Sequence, residues 1–145
     1  MADAVDVKVS LVSESTKVRV SSVLNRDSSQ YGKKFMFDKN EDTCWNSDQG
    51  SPQFVILEFS KDSQVKEIQI QFQGGFVGKE CTVEGGPSAS CLTPFYEFYP
   101  DDSNTLQIFP ISSSKRIKVL KIEFTSSTDL FGRIIVYKLD VLGNS

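Results

Sequence analysis

The chain has 145 residues, a formal net charge of −3 and a sequence pI near 5.0. That length suits a single domain with its own hydrophobic core, so folding requires neither a disulfide nor a metal. The acidic balance argues against a protein that grips nucleic-acid phosphates, which usually carries a basic excess, and the lack of any histidine removes imidazole acid–base chemistry and Ser-His or Cys-His pairs.

The chain opens on Met1-Ala2-Asp3-Ala4-Val5-Asp6, acidic and alternating, unlike a signal peptide. No run approaches the roughly 20 apolar residues of a membrane span. Val5, Val7, Val9 and Leu11 alternate with polar residues, as do Val18 and Val20, and this period of two predicts half-buried strands. One short helix is expected within residues 28–37. Residues 54–59 and 134–137 are nearly continuous apolar runs and read as strands covered on both faces. Ile68, Ile70 and Phe72 alternate with glutamines. Phe95 to Tyr99 reads as a strand that stops at Pro100-Asp101-Asp102. Ile117 and Val119, then Ile122 and Phe124, form two alternating pairs whose phase slips at Leu120, which suggests a bulge. Gly74-Gly75, Gly85-Gly86-Pro87 and Phe131-Gly132 mark turns. Many short strands separated by turn chemistry predict one all-β domain over residues 1–145, a sandwich or barrel.

Three cysteines, Cys44, Cys81 and Cys91, are an odd number, and reduced thiols are the default in a chain without a secretion signal. A Cys81–Cys91 bridge is the alternative. An intracellular address, nucleus or cytosol, fits this usage. Catalysis is not expected, because Cys44 has no base indicated and no phosphate-cradling Gly-rich loop is present.

The segment Phe37-Asp38-Lys39-Asn40-Glu41-Asp42-Thr43-Cys44-Trp45-Asn46-Ser47 resembles the signature of the discoidin, or coagulation factor 5/8 C-terminal, domains. Leu57-Glu58-Phe59, the Val65–Phe72 strand and the closing Gly132 to Gly143 segment agree with it in order. The resemblance implies a galactose-binding-like jelly-roll sandwich. Ser21-Ser22-Val23-Leu24-Asn25-Arg26, Thr43 to Gly50 and Gln69 to Phe76 further resemble a family of small nuclear-receptor-associated proteins. That resemblance implies a nuclear protein that partners an orphan nuclear receptor and represses its transactivation by hindering DNA binding.

Trp45 is the one tryptophan, and it has two readings: a core residue, as in the family pattern, or a stacking face for a sugar. Asp38, Asn40 and Asp42 are spaced to offer oxygens to a structural Ca²⁺, but they also suit turns, and Lys138 stands where an acidic ligand often falls. The turn reading is preferred, with no cofactor required. Arg26 and Arg133 with Phe76 or Phe131 would make a reduced sugar site, although the missing histidine and the acidic charge weigh against it. A carbohydrate- or lipid-binding module, or an adaptor in another intracellular complex, is the alternative function.

Lys33-Lys34 and Lys115-Arg116 are too short for a nucleic-acid patch. No Leu-x-x-Leu-Leu docking helix occurs; Leu139-Asp140-Val141-Leu142-Gly143 lacks the last leucine. Contact with a receptor therefore needs a folded surface. The candidate is a loop rim: Asn46 and Asp48, Phe76 and Lys79, and Phe131 and Arg133 within Leu130-Phe131-Gly132-Arg133. The competing reading is that these glycines only make turns and Phe76 packs under its own loop.

Overall fold

The computed structural model describes residues 8–145; the alternating Val5 and Val7 lie outside that range. Nine strands are present among the described residues: β1 (Val9–Ser10), β2 (Lys17–Val20), β3 (Trp45–Asn46), β4 (Gln53–Phe72), β5 (Gly78–Ser88), β6 (Cys91–Phe98), β7 (Leu106–Pro110), β8 (Arg116–Ser127) and β9 (Ile135–Asn144). Every pairing is antiparallel. The expected helix is a single turn, α1 (Ser28–Tyr31), capped by Asp27, whose side chain accepts the Gln30 N–H. A 3-10 turn over Lys33–Met36 follows and buries Met36.

β4 serves both layers of the sandwich. Its first part, Gln53 to Glu58, lies between β2 and β8. Its last part, Glu67 to Phe72, lies between β7 and β9. Between them Ser60, Lys61 and Asp62 are exposed and the ladder to β8 shifts register between Glu58 and Ser63. A local surplus of residues bends a strand and increases its twist, which is how one strand can leave one sheet and enter the other. The two apolar stretches at 54–59 and 65–72 are thus halves of one strand. The bulge expected at Leu120 is not there: β8 pairs without a break through Leu120 on both sides, and the extra residues belong to β4.

Aromatic side chains join the layers. Phe72 on β4 meets Phe124 on β8 edge-on at 5.8 Å, Trp45 meets Phe124 at 6.2 Å, and Phe98 on β6 meets Phe109 on β7 at 4.5 Å. Leu57, Ile70, Ile122 and Val141 fill the space between. Burying such side chains contributes roughly 1.5–3 kcal/mol each before the entropy of ordering them.

Two further expectations are corrected. Gly85-Gly86-Pro87 is not a turn but lies inside β5; the chain reverses at Ala89-Ser90. The glycines are there for close approach. A Cβ on Gly85 would sit 2.8 Å from Ile117 Cγ2, and one on Gly86 would sit 1.8 Å from the Cys91 carbonyl oxygen. The other correction is β7, a strand that alternation did not reveal: it has five residues, ends on proline and lies at a sheet edge.

Candidate functional site

Three loops meet at one end of the sandwich: residues 47–52 after β3, 73–77 between β4 and β5, and 128–134 between β8 and β9. Ser47 ties the first to the third. Its N–H donates to the Ile134 carbonyl at 2.9 Å, its hydroxyl oxygen accepts the Ile134 N–H at 2.8 Å, and that hydroxyl donates to the Asp48 carbonyl at 2.9 Å. The Gly50 N–H donates to the Phe131 carbonyl at 2.8 Å. Gly132, at φ 84°, packs so closely that a Cβ there would lie 2.7 Å from the Gly50 carbonyl carbon. The second loop joins the third through the Thr128 hydroxyl, which accepts the Val77 N–H at 3.0 Å.

Gln53 organises the base of this end. It is 5% exposed. Its Nε2 donates to the carbonyls of Gly50 at 2.8 Å and Asp48 at 3.1 Å, and its Oε1 accepts both the Ser21 and Ser22 hydroxyls. Ser22 in turn accepts the Asp48 N–H on its Oγ and the Trp45 Nε1–H on its carbonyl, the latter at 2.9 Å. Trp45 is fully buried, so it is a core residue and not a stacking face. A buried polar group kept this fully partnered rigidifies its surroundings.

The 128–134 loop also closes on itself. The Asp129 carboxylate accepts the Arg133 N–H at 3.0 Å and lies 3.5 Å from Arg133 Nε, and the Arg133 guanidinium sits 4.7 Å above the Phe76 ring centroid. Ser127 accepts the Asp129 N–H and donates to the Arg133 carbonyl. The tip that remains is apolar: Leu130 is 91% exposed and Phe131 60%. Two adjacent large apolar side chains thus stand on a loop held by these side-chain bonds.

The structure sorts the candidate rim residues. Asp48, Lys79 and Phe131 are exposed, whereas Phe76 and Arg133 are half-buried against each other. Asn46 is corrected: it belongs to β3, pairs with Ile135 of β9 and is 7% exposed. Its Oδ1 has no hydrogen-bond partner among the described residues. Gln53 escaped the sequence reading, whereas Ser47 lies in the signature segment and in the 46–50 loop expected at the rim. A glutamine opening an otherwise apolar strand, just after Gly50-Ser51-Pro52, is the signal that could have found Gln53.

The Asp38–Asp42 loop uses its oxygens internally. Asp38 Oδ1 accepts the Asn40 N–H at 3.1 Å, Asn40 Oδ1 accepts the Asp42 N–H at 2.9 Å, and the Thr43 hydroxyl donates to Asp38 Oδ2 at 2.6 Å. Asp140 is occupied by the Ser10 hydroxyl at 2.6 Å and the Val141 N–H. Among the described residues no three His, Cys, Asp or Glu groups cluster to hold a metal. All three cysteines are free; burial raises the thiol pKa of Cys44 and, more strongly, that of Cys81, and both thiols stay protonated at neutral pH.

No protein-family model matches the chain. A Danio rerio protein named nuclear receptor 2C2-associated protein is 58% identical over 134 residues, covering 92% of this chain and 95% of that one. The Homo sapiens protein of the same name is 50% identical over 134 residues, covering 92% and 96%. The chain belongs to the nuclear receptor 2C2-associated protein family. In fold, this family member is similar to a family 32 carbohydrate-binding module from Clostridium perfringens solved with galactose, with a TM-score of 0.77 at 16% identity over 94% of this chain and 99% of that one. It is also similar to an F5/8 type C domain from Bacteroides fragilis, with a TM-score of 0.80 at 10% identity over 95% and 97%. At such identities the likeness establishes the galactose-binding-like jelly roll and nothing about ligands. No helix among the described residues is long and apolar enough to cross a membrane.

Proposed function

We propose that this chain is a non-enzymatic interaction module that binds an orphan nuclear receptor in the nucleus and represses transactivation by hindering the receptor's binding to DNA. The observation that carries this reading is the exposed Leu130-Phe131 tip on its closed loop. Exposed large apolar side chains gain from burial in a partner's pocket. A loop already ordered in the free protein loses little further entropy on binding, so more of that gain appears as affinity. The names carried by the relatives supply the class of partner.

The mechanism is occlusion. A receptor's DNA-binding surface must be basic to engage phosphates. A chain of net charge −3 is drawn to such a surface and does not compete for the DNA itself. The rim brings apolar contact through Leu130 and Phe131, with Asp48 exposed on the neighbouring loop. Neither a cofactor nor a metal takes part. A sugar site built on Arg133 is the weaker reading, because its guanidinium is already committed to Asp129 and Phe76.

The test is a gel shift with purified chain, purified nuclear receptor 2C2 and its DNA element. Added parent chain is expected to reduce the receptor–DNA band. The Leu130→Ser/Phe131→Ser double variant should need at least about tenfold more protein for the same effect, a loss of about 1.4 kcal/mol. A parent that never associates with the receptor sinks the proposal, and a double variant as potent as the parent removes the rim from it. Binding to glycan arrays or liposomes, without receptor binding, would favour the alternative.

A further inference from the structure

Among the described residues, β2, β6 and β7 are the longer strands that each pair with a single neighbour. Native proteins protect such edges with charge or by covering them. β2 carries Lys17 and Arg19, and β6 carries Glu97. β7 reads Leu106-Gln107-Ile108-Phe109-Pro110 and carries no charge.

Its backbone is half used. The Ile111 N–H donates to the Lys66 carbonyl at 2.7 Å, and the register then runs Ile68 opposite Phe109 and Ile70 opposite Gln107. Hydrogen-bonded pairs alternate along an antiparallel ladder. Phe109 and Gln107 therefore bond to β4, and the N–H and C=O groups of Leu106 and Ile108 point away from it. Pro110 also points away, offering only its carbonyl. The strand is held firmly from inside: Phe109 packs on Phe98 at 4.5 Å, and the Gln107 amide exchanges two hydrogen bonds with the Asp101 backbone. On the outer face Leu106 is 40% exposed and Ile108 54%.

We propose that β7 pairs antiparallel with β7 of a second copy of this chain, about a two-fold axis at Ile108. In that register each Ile108 N–H meets the other copy's Ile108 carbonyl. Each Leu106 N–H meets the other copy's Pro110 carbonyl. Both outward donors of each strand find acceptors, and the one acceptor left over is the Leu106 carbonyl, opposite the N–H that Pro110 lacks. Ile108 then covers Ile108, Leu106 covers Pro110, and no charges oppose. A strand suited to this edge must be uncharged, apolar at alternate positions and an acceptor opposite Leu106, and β7 itself meets all three conditions. The same operation on β2 would gather Lys17 and Arg19 of both copies. Five paired residues per copy make a small interface, so the dimer forms at high concentration and dissociates on dilution.

Sedimentation equilibrium of the full chain, from about 1 µM to about 1 mM, tests this. The apparent mass should rise from 16.2 kDa toward twice that value. Ile108→Lys should stay monomeric, while Phe131→Ser, at the opposite kind of surface, should dimerise like the parent. A second measurement locates the contact. In a Cys91→Ser background, Ile108→Cys with oxidised glutathione should give a disulfide-linked dimer, because directly opposed residues of a hydrogen-bonded pair have Cα atoms about 5.5 Å apart. Ser15→Cys in the same background should not. A parent that remains monomeric throughout, an Ile108→Lys variant that dimerises as well as the parent, or equal cross-linking at Ser15→Cys overturns the proposal. So does capture of an unrelated extended peptide by a monomer that never self-associates.

Discussion

The rim tip and the β7 edge both expose large apolar side chains, but on different supports. At the rim, Leu130 and Phe131 stand on a loop closed by side chains: Asp129, Ser127 and Ser47 bond its backbone, and Gln53 bonds that of the neighbouring 47–52 loop. What the tip offers most prominently is two large apolar side chains, so recognition there comes from side-chain shape. At β7, Leu106 and Ile108 stand on a strand whose inner edge is bonded to β4 and whose outer edge keeps its backbone groups. Recognition there is by strand addition, which reads hydrogen-bond register first and side chains second. The difference suits one surface to a pocket on a different protein and the other to a copy of itself.

The comparison rests on how firmly each support is built, and substitutions can break it in graded steps. Trp45→Ala should cost on the order of 3–5 kcal/mol in denaturant unfolding, because it empties a fully buried site beside Phe124 and removes a bond to Ser22. A variant that unfolds like the parent would mean the rim does not stand on this core. Gln53→Leu removes the acceptor of the Ser21 and Ser22 hydroxyls and the amide donor to the Gly50 and Asp48 carbonyls, with an expected loss of about 1–3 kcal/mol. Hydrogen exchange should speed up in residues 46–51 of that variant and stay unchanged in β7. Leu130→Ser and Phe131→Ser should each move stability by less than about 0.5 kcal/mol, since these side chains are exposed. A larger loss would reveal packing that the exposed positions do not indicate.

The smallest effect concerns the strand next to β7. The Lys8 ammonium, donating to Glu67 at 2.9 Å, and then the Gln69 amide hold the Glu67 carboxyl below the usual carboxylate range. A pKa lowered on folding adds stability above the unfolded-state value and loses it as pH falls through the folded one. Parent should therefore be more stable than Glu67→Gln near neutrality, and the two should converge as pH falls from the ordinary carboxylate range through the lower folded-state value. Unfolding curves across that range that stay parallel would show the pair to be without effect.

Much of the fold was legible because alternation has a plain cause: one side of each strand faces the core. Ile68, Ile70, Phe72, Ile122 and Phe124 all point inward as their spacing predicted. The candidate site was legible in part. Phe131 stands exposed, but Asn46 is covered by pairing with β9, and Phe76 is shared between a ring stack and its own loop. Neither fact follows from local pattern, because both depend on segments more than 50 residues away.

What the sequence by itself determined is a β protein without imidazole chemistry, carrying an ordered signature that places it among discoidin-like sandwiches. The first two are properties of residue type and of a period of two, the third is a resemblance of short segments to a known family, and none needs a partner strand to be read. The tertiary structure alone decided that β4 crosses from one sheet to the other, that Gly85 and Gly86 make room for neighbours instead of turning the chain, and that a five-residue strand ending in proline lies open at an edge. Each of these depends on what sits opposite a residue across space, and opposition across a sheet is set by register, which no single stretch of chain contains.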